Sequence, residues 1–213
     1  MPATARSEIA ILAAGVVGGV VLALCASFAI NTQYGFAAPL FFVLPLIAAL
    51  MRLGHLRLFG ALYLVLVVSA SFVAAIYAAI ITLPAVNGSL CIFCSAQEQA
   101  ANMPRVQITG AVAGFVGSAL PFAATTLLGA DIRDRKALVV MASAALVLAL
   151  FGAIALSGAL PGATRPLLHS DQANYLLWQR IGSLGPWQLV FGSTLAFVLS
   201  RHTPKTTARP AQV

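Results

Sequence analysis

"LFGALYLVLVVSASFVAAIYAAIITL", residues 58–83, runs for 26 residues without a charged side chain, between Arg57 and Pro84. A helix rises about 1.5 Å per residue, so about 20 apolar residues cross the roughly 30 Å hydrocarbon core of a bilayer. This stretch is therefore read as a membrane span. Five more apolar runs lie on either side of it: Ile9–Ile30, Tyr34–Met51 with Pro39 and Pro45, Gln107–Ala130 with Pro121, Ala137–Leu160, and Leu184–Ser200 with Pro186 and Trp187 near its start. The second and sixth runs are near the lower length limit for a span. The expected fold is all-α: a polytopic α-helical membrane bundle of about six transmembrane helices, forming a single transmembrane domain over residues 1–213.

Composition agrees with this reading. Hydrophobic residues make up 61% of the chain and charged residues 8%, where a soluble domain carries about 25% charged residues. Twelve Lys/Arg against five Asp/Glu leave a net charge of +7. The basic residues flank the apolar runs and form no stripe with interleaved aromatics, so the implied partner is the lipid bilayer and not nucleic acid. With a cytoplasmic N-terminus, the inside segments hold Arg6, Arg52, Arg57, Arg133, Arg135, Lys136, Arg201, Lys205 and Arg209, and the outside segments hold Arg105, Arg165 and Arg180. That asymmetry follows the positive-inside rule. Both termini are expected in the cytoplasm, with outer loops at 84–106 and 161–186; in a bacterium these would face the periplasm from the inner membrane. The first run exceeds the 7–15-residue core of a signal peptide and reads as an uncleaved anchor.

All 17 charged residues lie outside the six runs. Intramembrane ionisable groups mark proton relays and ion paths, so an ion-coupled transporter is disfavoured. No phosphate-binding glycine loop is present. What the runs do carry is small-residue spacing, Gly15-x-x-x-Gly19 and Gly110-x-x-x-Gly114. Such spacing lets helix backbones approach closely, and packing inside the bundle is expected in preference to a dimer seam. Pro45 and Pro121 each remove a backbone hydrogen bond and are expected to kink their helices.

The chemistry-bearing segment is "GSLCIFCSAQEQAANMP", residues 88–104. Asn87-Gly88 is a turn signal. Ser95 and Glu98 have the spacing of a capping box, predicting a short helix from Ala96 to about Met103 that stops before Pro104. Cys94 would then precede a helix N-terminus, where the dipole stabilises a thiolate. In an oxidising compartment Cys91 and Cys94 readily form a disulfide. A ring that small constrains the unfolded chain little, which favours a redox role over a staple. The competing reading is two small, buried apolar residues. A structural zinc site needs four ligands, and only Met103 or His169 could join the pair from the outer segments, so no metal is expected.

The position of the pair, at the outer end of the connection from third to fourth helix, resembles the vitamin K epoxide reductase family. The residues "CIFCSAQE" also resemble the bacterial disulfide bond formation protein B family, whose motif runs C-x-x-C-x-x-[Q/E]-R. Both are four-helix, quinone-linked thiol oxidases. On that match Cys91 and Cys94 are the catalytic, quinone-facing pair and Gln97 is the motif's polar residue; Arg105 in the same loop joins Gln97 as a candidate cofactor contact. The resemblance implies a quinone cofactor and an extracytoplasmic thiol protein as partner. The chain departs from the pattern at Glu98, where the second family has arginine, and it lacks a second cysteine pair: Cys25 is its only other cysteine.

The second outer loop contains "SDQANYLLWQRIGSLGPW", residues 170–187. Tyr175, Leu176, Trp178 and Ile181 fall near one another on a helix, which suits an amphipathic segment at the membrane interface. Three functions are consistent with these features: a thiol–disulfide oxidoreductase using the outward C-x-x-C and a membrane quinone, a non-catalytic subunit or assembly factor in a complex with other membrane subunits, and a small-solute transporter.

Overall fold

The computed structural model describes residues 3–29, 38–83, 85–86, 89–90, 101–129, 131–156 and 172–201. Six helices account for nearly all of them: α1 Ala3–Ala29, α2 Ala38–Arg52, α3 Leu58–Thr82, α4 Met103–Thr125, α5 Arg135–Leu156 and α6 Gln172–Leu199. A short 3-10 turn, Asp131–Arg133, precedes α5. Two two-residue strands, β1 Ala85–Val86 and β2 Ser89–Leu90, pair antiparallel with Val86 opposite Ser89. The turn expected at Asn87-Gly88 lies outside the described residues. The molecule is an all-α membrane bundle. Four helices, α1, α3, α4 and α5, are long and apolar enough to cross a bilayer, while α2 and the apolar part of α6, Gly185–Leu199, are shorter.

Neighbours in sequence are neighbours in space, and α6 returns to pack on α1, closing a ring, with a further contact to α2. Close approaches set the directions. A Cβ added at Gly15 would meet Ala49, and one at Gly19 would meet Phe42, so α1 and α2 are antiparallel. Gly60 faces Leu128 while Gly117 faces Ala75, which makes α3 and α4 antiparallel. Gly110 faces Gly152 and Gly114 faces Leu148, which does the same for α4 and α5.

In lipid the apolar surface gains nothing from hiding, and close packing with satisfied polar groups holds helices together. Large side chains point outward accordingly: Phe59 is 85% exposed and Ile81 80% exposed, positions that suit lipid contact. The centre is built from Phe42, Leu46 and Leu50 of α2, Leu64 of α3, Leu148 of α5 and Phe191 and Leu195 of α6. Phe191 stacks on Trp187 and on Phe122, with ring centroids 4.9 and 5.1 Å apart, and lies 6.1 Å from Phe42. One aromatic side chain thereby ties α2, α4 and α6 together.

Hydroxyls in the spans are satisfied within their own helices. Ser71 donates to the Val67 carbonyl, Ser118 to Gly114, Thr125 to Pro121 and Thr194 to Val190, each four residues back, at 2.6–2.8 Å. Such back-bonding meets the rule that polar groups in hydrocarbon find internal partners. Between helices, the Tyr63 hydroxyl donates to the Ala124 carbonyl at 3.0 Å. The turn from α2 to α3 is tight because Gly54 takes a positive φ of 76°. The His55 amide then bonds to the Leu50 carbonyl at 2.9 Å and the Gly54 amide to Met51 at 3.0 Å, a Schellman closure that glycine accommodates best.

Candidate functional site

The bundle has two chemically different ends. Arg6, Arg52, Arg57, Arg133, Arg135, Lys136 and Arg201 are all placed at one end by the alternating helix directions, at the start of α1, α3 and α5 and the finish of α2 and α6. Arg201 sits 4.0 Å from Asp134, and its guanidinium lies 4.2 Å over the Phe197 ring. The Arg133 Nε donates to the Thr126 carbonyl at 3.0 Å. At the opposite end, Arg105 is exposed in the first turn of α4.

That opposite end is where the cysteine loop emerges. The finish of α3 at Thr82 and the start of α4 at Met103 frame it, and the β1–β2 pair leads directly to residue 91. Cys91, Cys94, Ser95, Gln97 and Glu98 themselves lie outside the described residues, as do His169 and His202. Most of the short helix expected from Ala96 also lies outside the described residues; only its end is described. Ala101 is helical and Asn102 lies in a turn, so helical structure does end ahead of Pro104, and Pro104 itself stands in the first turn of α4, which starts at Met103. A proline at the first helical positions gives up no intrahelical bond, since those amides have no partner in any helix. Cys25 is exposed on α1, towards the same end as the loop.

The second outer loop differs from the sequence expectation. The amphipathic segment is not separated from the sixth span: α6 runs unbroken from Gln172 to Leu199, about 42 Å at 1.5 Å per residue, with Pro186 inside it. The side chains of 172–184 lie outside the described residues.

Two features had no sequence signal strong enough to single them out. One is Gln188 of α6, only 4% exposed, whose Oε1 is buried without a hydrogen-bond partner. It lies one residue from Trp187 and three from Phe191, on the helix face that enters the core. The other is an apolar groove of about 340 Å³ between α4 and α5, lined by Phe115, Ala119, Phe122 and Ala123 of α4, by Thr126 at its C-cap, and on α5 by Leu138, Met141 and Ala142. Its outer limit, Phe115, is 12 residues along α4 from Met103, about 18 Å from the cysteine end. Among the described residues no group of three or more His, Cys, Asp or Glu could hold a metal ion. No family model, no curated protein and no solved structure matches the chain.

Proposed function

We propose that this integral membrane protein is a thiol–disulfide oxidoreductase whose Cys91–Cys94 pair works on the extracytoplasmic side of the membrane. The observation that supports this is the separation of the bundle's ends: the basic residues gather at one end, and the loop bearing the pair leaves from the other. The positive-inside rule favours a cytoplasmic basic end, which supports a reading with the pair in a compartment where disulfides persist. The proposed cycle balances in two steps. A partner dithiol attacks the Cys91–Cys94 disulfide, becoming oxidised while the pair is reduced to two thiols. The pair then passes two electrons and two protons to a membrane quinone, which leaves as quinol, and the disulfide re-forms. Gln97 of the loop and Arg105 of the first turn of α4 are proposed to meet the quinone at this outer end.

A second reading, a non-catalytic subunit of a membrane complex, is favoured by a different observation. Gly110, Gly114 and Gly152 bring α4 and α5 into backbone contact, and no charged side chain lies deep in the described spans. One comparison separates the two. The purified protein is titrated with a thiol–disulfide buffer, with and without added quinone, beside Cys91→Ser/Cys94→Ser. A reversible two-electron couple in the wild type, absent from the double variant and drained by quinone, is expected. Two thiols that stay free under oxidising conditions would leave the subunit reading.

A further inference from the structure

We infer that the groove between α4 and α5 is a binding site for one anionic phospholipid of the leaflet at the basic end, with an acyl chain in the groove and the phosphate on Arg133 and Arg135. The groove is apolar along its length and follows α4 from Phe115 to Thr126. Eleven residues of helix cover about 16 Å, close to half of the roughly 30 Å hydrocarbon core. That is the depth of one leaflet, which suits an acyl chain entering from one side.

The mouth of the groove is charged. Thr126, the C-cap of α4, is its last residue on that side, and the Arg133 Nε–H donates to the Thr126 carbonyl at 3.0 Å. Arg133 is thereby held across the mouth, and its guanidinium fork suits a phosphate. On α5, Arg135 precedes Leu138 by three residues and Ala142 by seven, so it heads the helix face that lines the groove. The segment 131–136 reads Asp-Ile-Arg-Asp-Arg-Lys, three basic residues against two acidic. Asp134 also stands at this mouth, but it is already offset by Arg201 at 4.0 Å. The remaining balance is positive. Basic groups between helices at the cytoplasmic surface attract anionic headgroups, and an apolar slot beneath them adds a chain site.

The test uses the full-length protein purified in mild detergent, with retention of added phosphatidylglycerol and phosphatidylcholine of identical chains measured by native mass spectrometry. The wild type should retain the anionic lipid in preference, by roughly fivefold for each arginine engaged. Arg133→Gln/Arg135→Gln should abolish the preference, and Arg52→Gln, at the same end but away from the groove, should keep it. Ala142→Trp or Ala123→Trp, each filling the groove from an exposed position, should lose both lipids. Equal retention of the two lipids by the wild type, a preference that survives the double arginine change, or unchanged retention in a folded groove variant would each overturn the proposal. If a tryptophan variant fails to fold, the arginine pair, which lies on the surface, decides the question alone.

Discussion

At the scale of single residues, adjacent glycines of α1 do different jobs. Gly19 abuts the Phe42 carbonyl, so a methyl group there collides with backbone that cannot rotate away, whereas the nearest atom to a Cβ at Gly18 is Pro45 Cβ at 3.7 Å, an ordinary contact. Gly19→Ala should cost about 1–3 kcal/mol by overpacking, and Gly18→Ala should stay within about 0.5 kcal/mol of wild type. Unfolding of the detergent-solubilised protein by denaturant measures both. Equal effects at the two positions would mean that the α1–α2 approach is not as close as described. Gln188 makes a prediction of the opposite sign. An unpartnered buried amide oxygen carries its desolvation cost, so Gln188→Leu should stabilise the bundle by about 1 kcal/mol. A clear loss of thermal stability would show that the oxygen has a partner in the membrane. The glycine pairs were legible as close-packing sites from their four-residue spacing. Which helix each faced was not, because spacing along one helix says nothing about its neighbour, and Gly152, which completes the α4–α5 contact, stands in no such pair.

Among the elements, the long apolar runs were readable because charge is expelled from hydrocarbon, and the six runs correspond to six helices. The boundaries were less readable where proline stands. Pro104 follows a helix end at Ala101, as read, but also opens the next helix in the first turn of α4; Pro186 looked like the start of a span and lies within α6. Proline removes the bond its own nitrogen would make and crowds the carbonyl four residues back. That matters little in a first turn, and a packed helix continues through it elsewhere. Continuity of α6 predicts a single 3.6-residue period of spin-label mobility from residue 172 to residue 199, read by single-cysteine scanning in a Cys-less background. A phase break at 184–186 would restore two separate elements. Tyr63→Phe removes the one bond between α3 and α4 described above and should cost about 1 kcal/mol without altering helix content.

For the whole molecule, the two ends of the bundle differ in charge. The alternation of helix directions gathers seven basic residues at one end and leaves the cysteine loop at the other. The asymmetry was already visible along the chain, since lysine and arginine placement reflects which loops were translocated. The groove was invisible there, because its walls are ordinary apolar residues that become a site only when two helices lie side by side. The most direct test of sidedness is thiol labelling with a membrane-impermeant maleimide in cells whose cytoplasmic membrane is sealed. Two Cys25→Ala backgrounds are compared: one keeps Cys91 and Cys94, and the other replaces both by Ser and carries Lys136→Cys at the basic end. After mild reduction, Cys91 and Cys94 should label in sealed cells, and the cysteine at 136 only once the membrane is opened. Labelling of position 136 in sealed cells with Cys91 and Cys94 protected would contradict the account and invert the bundle.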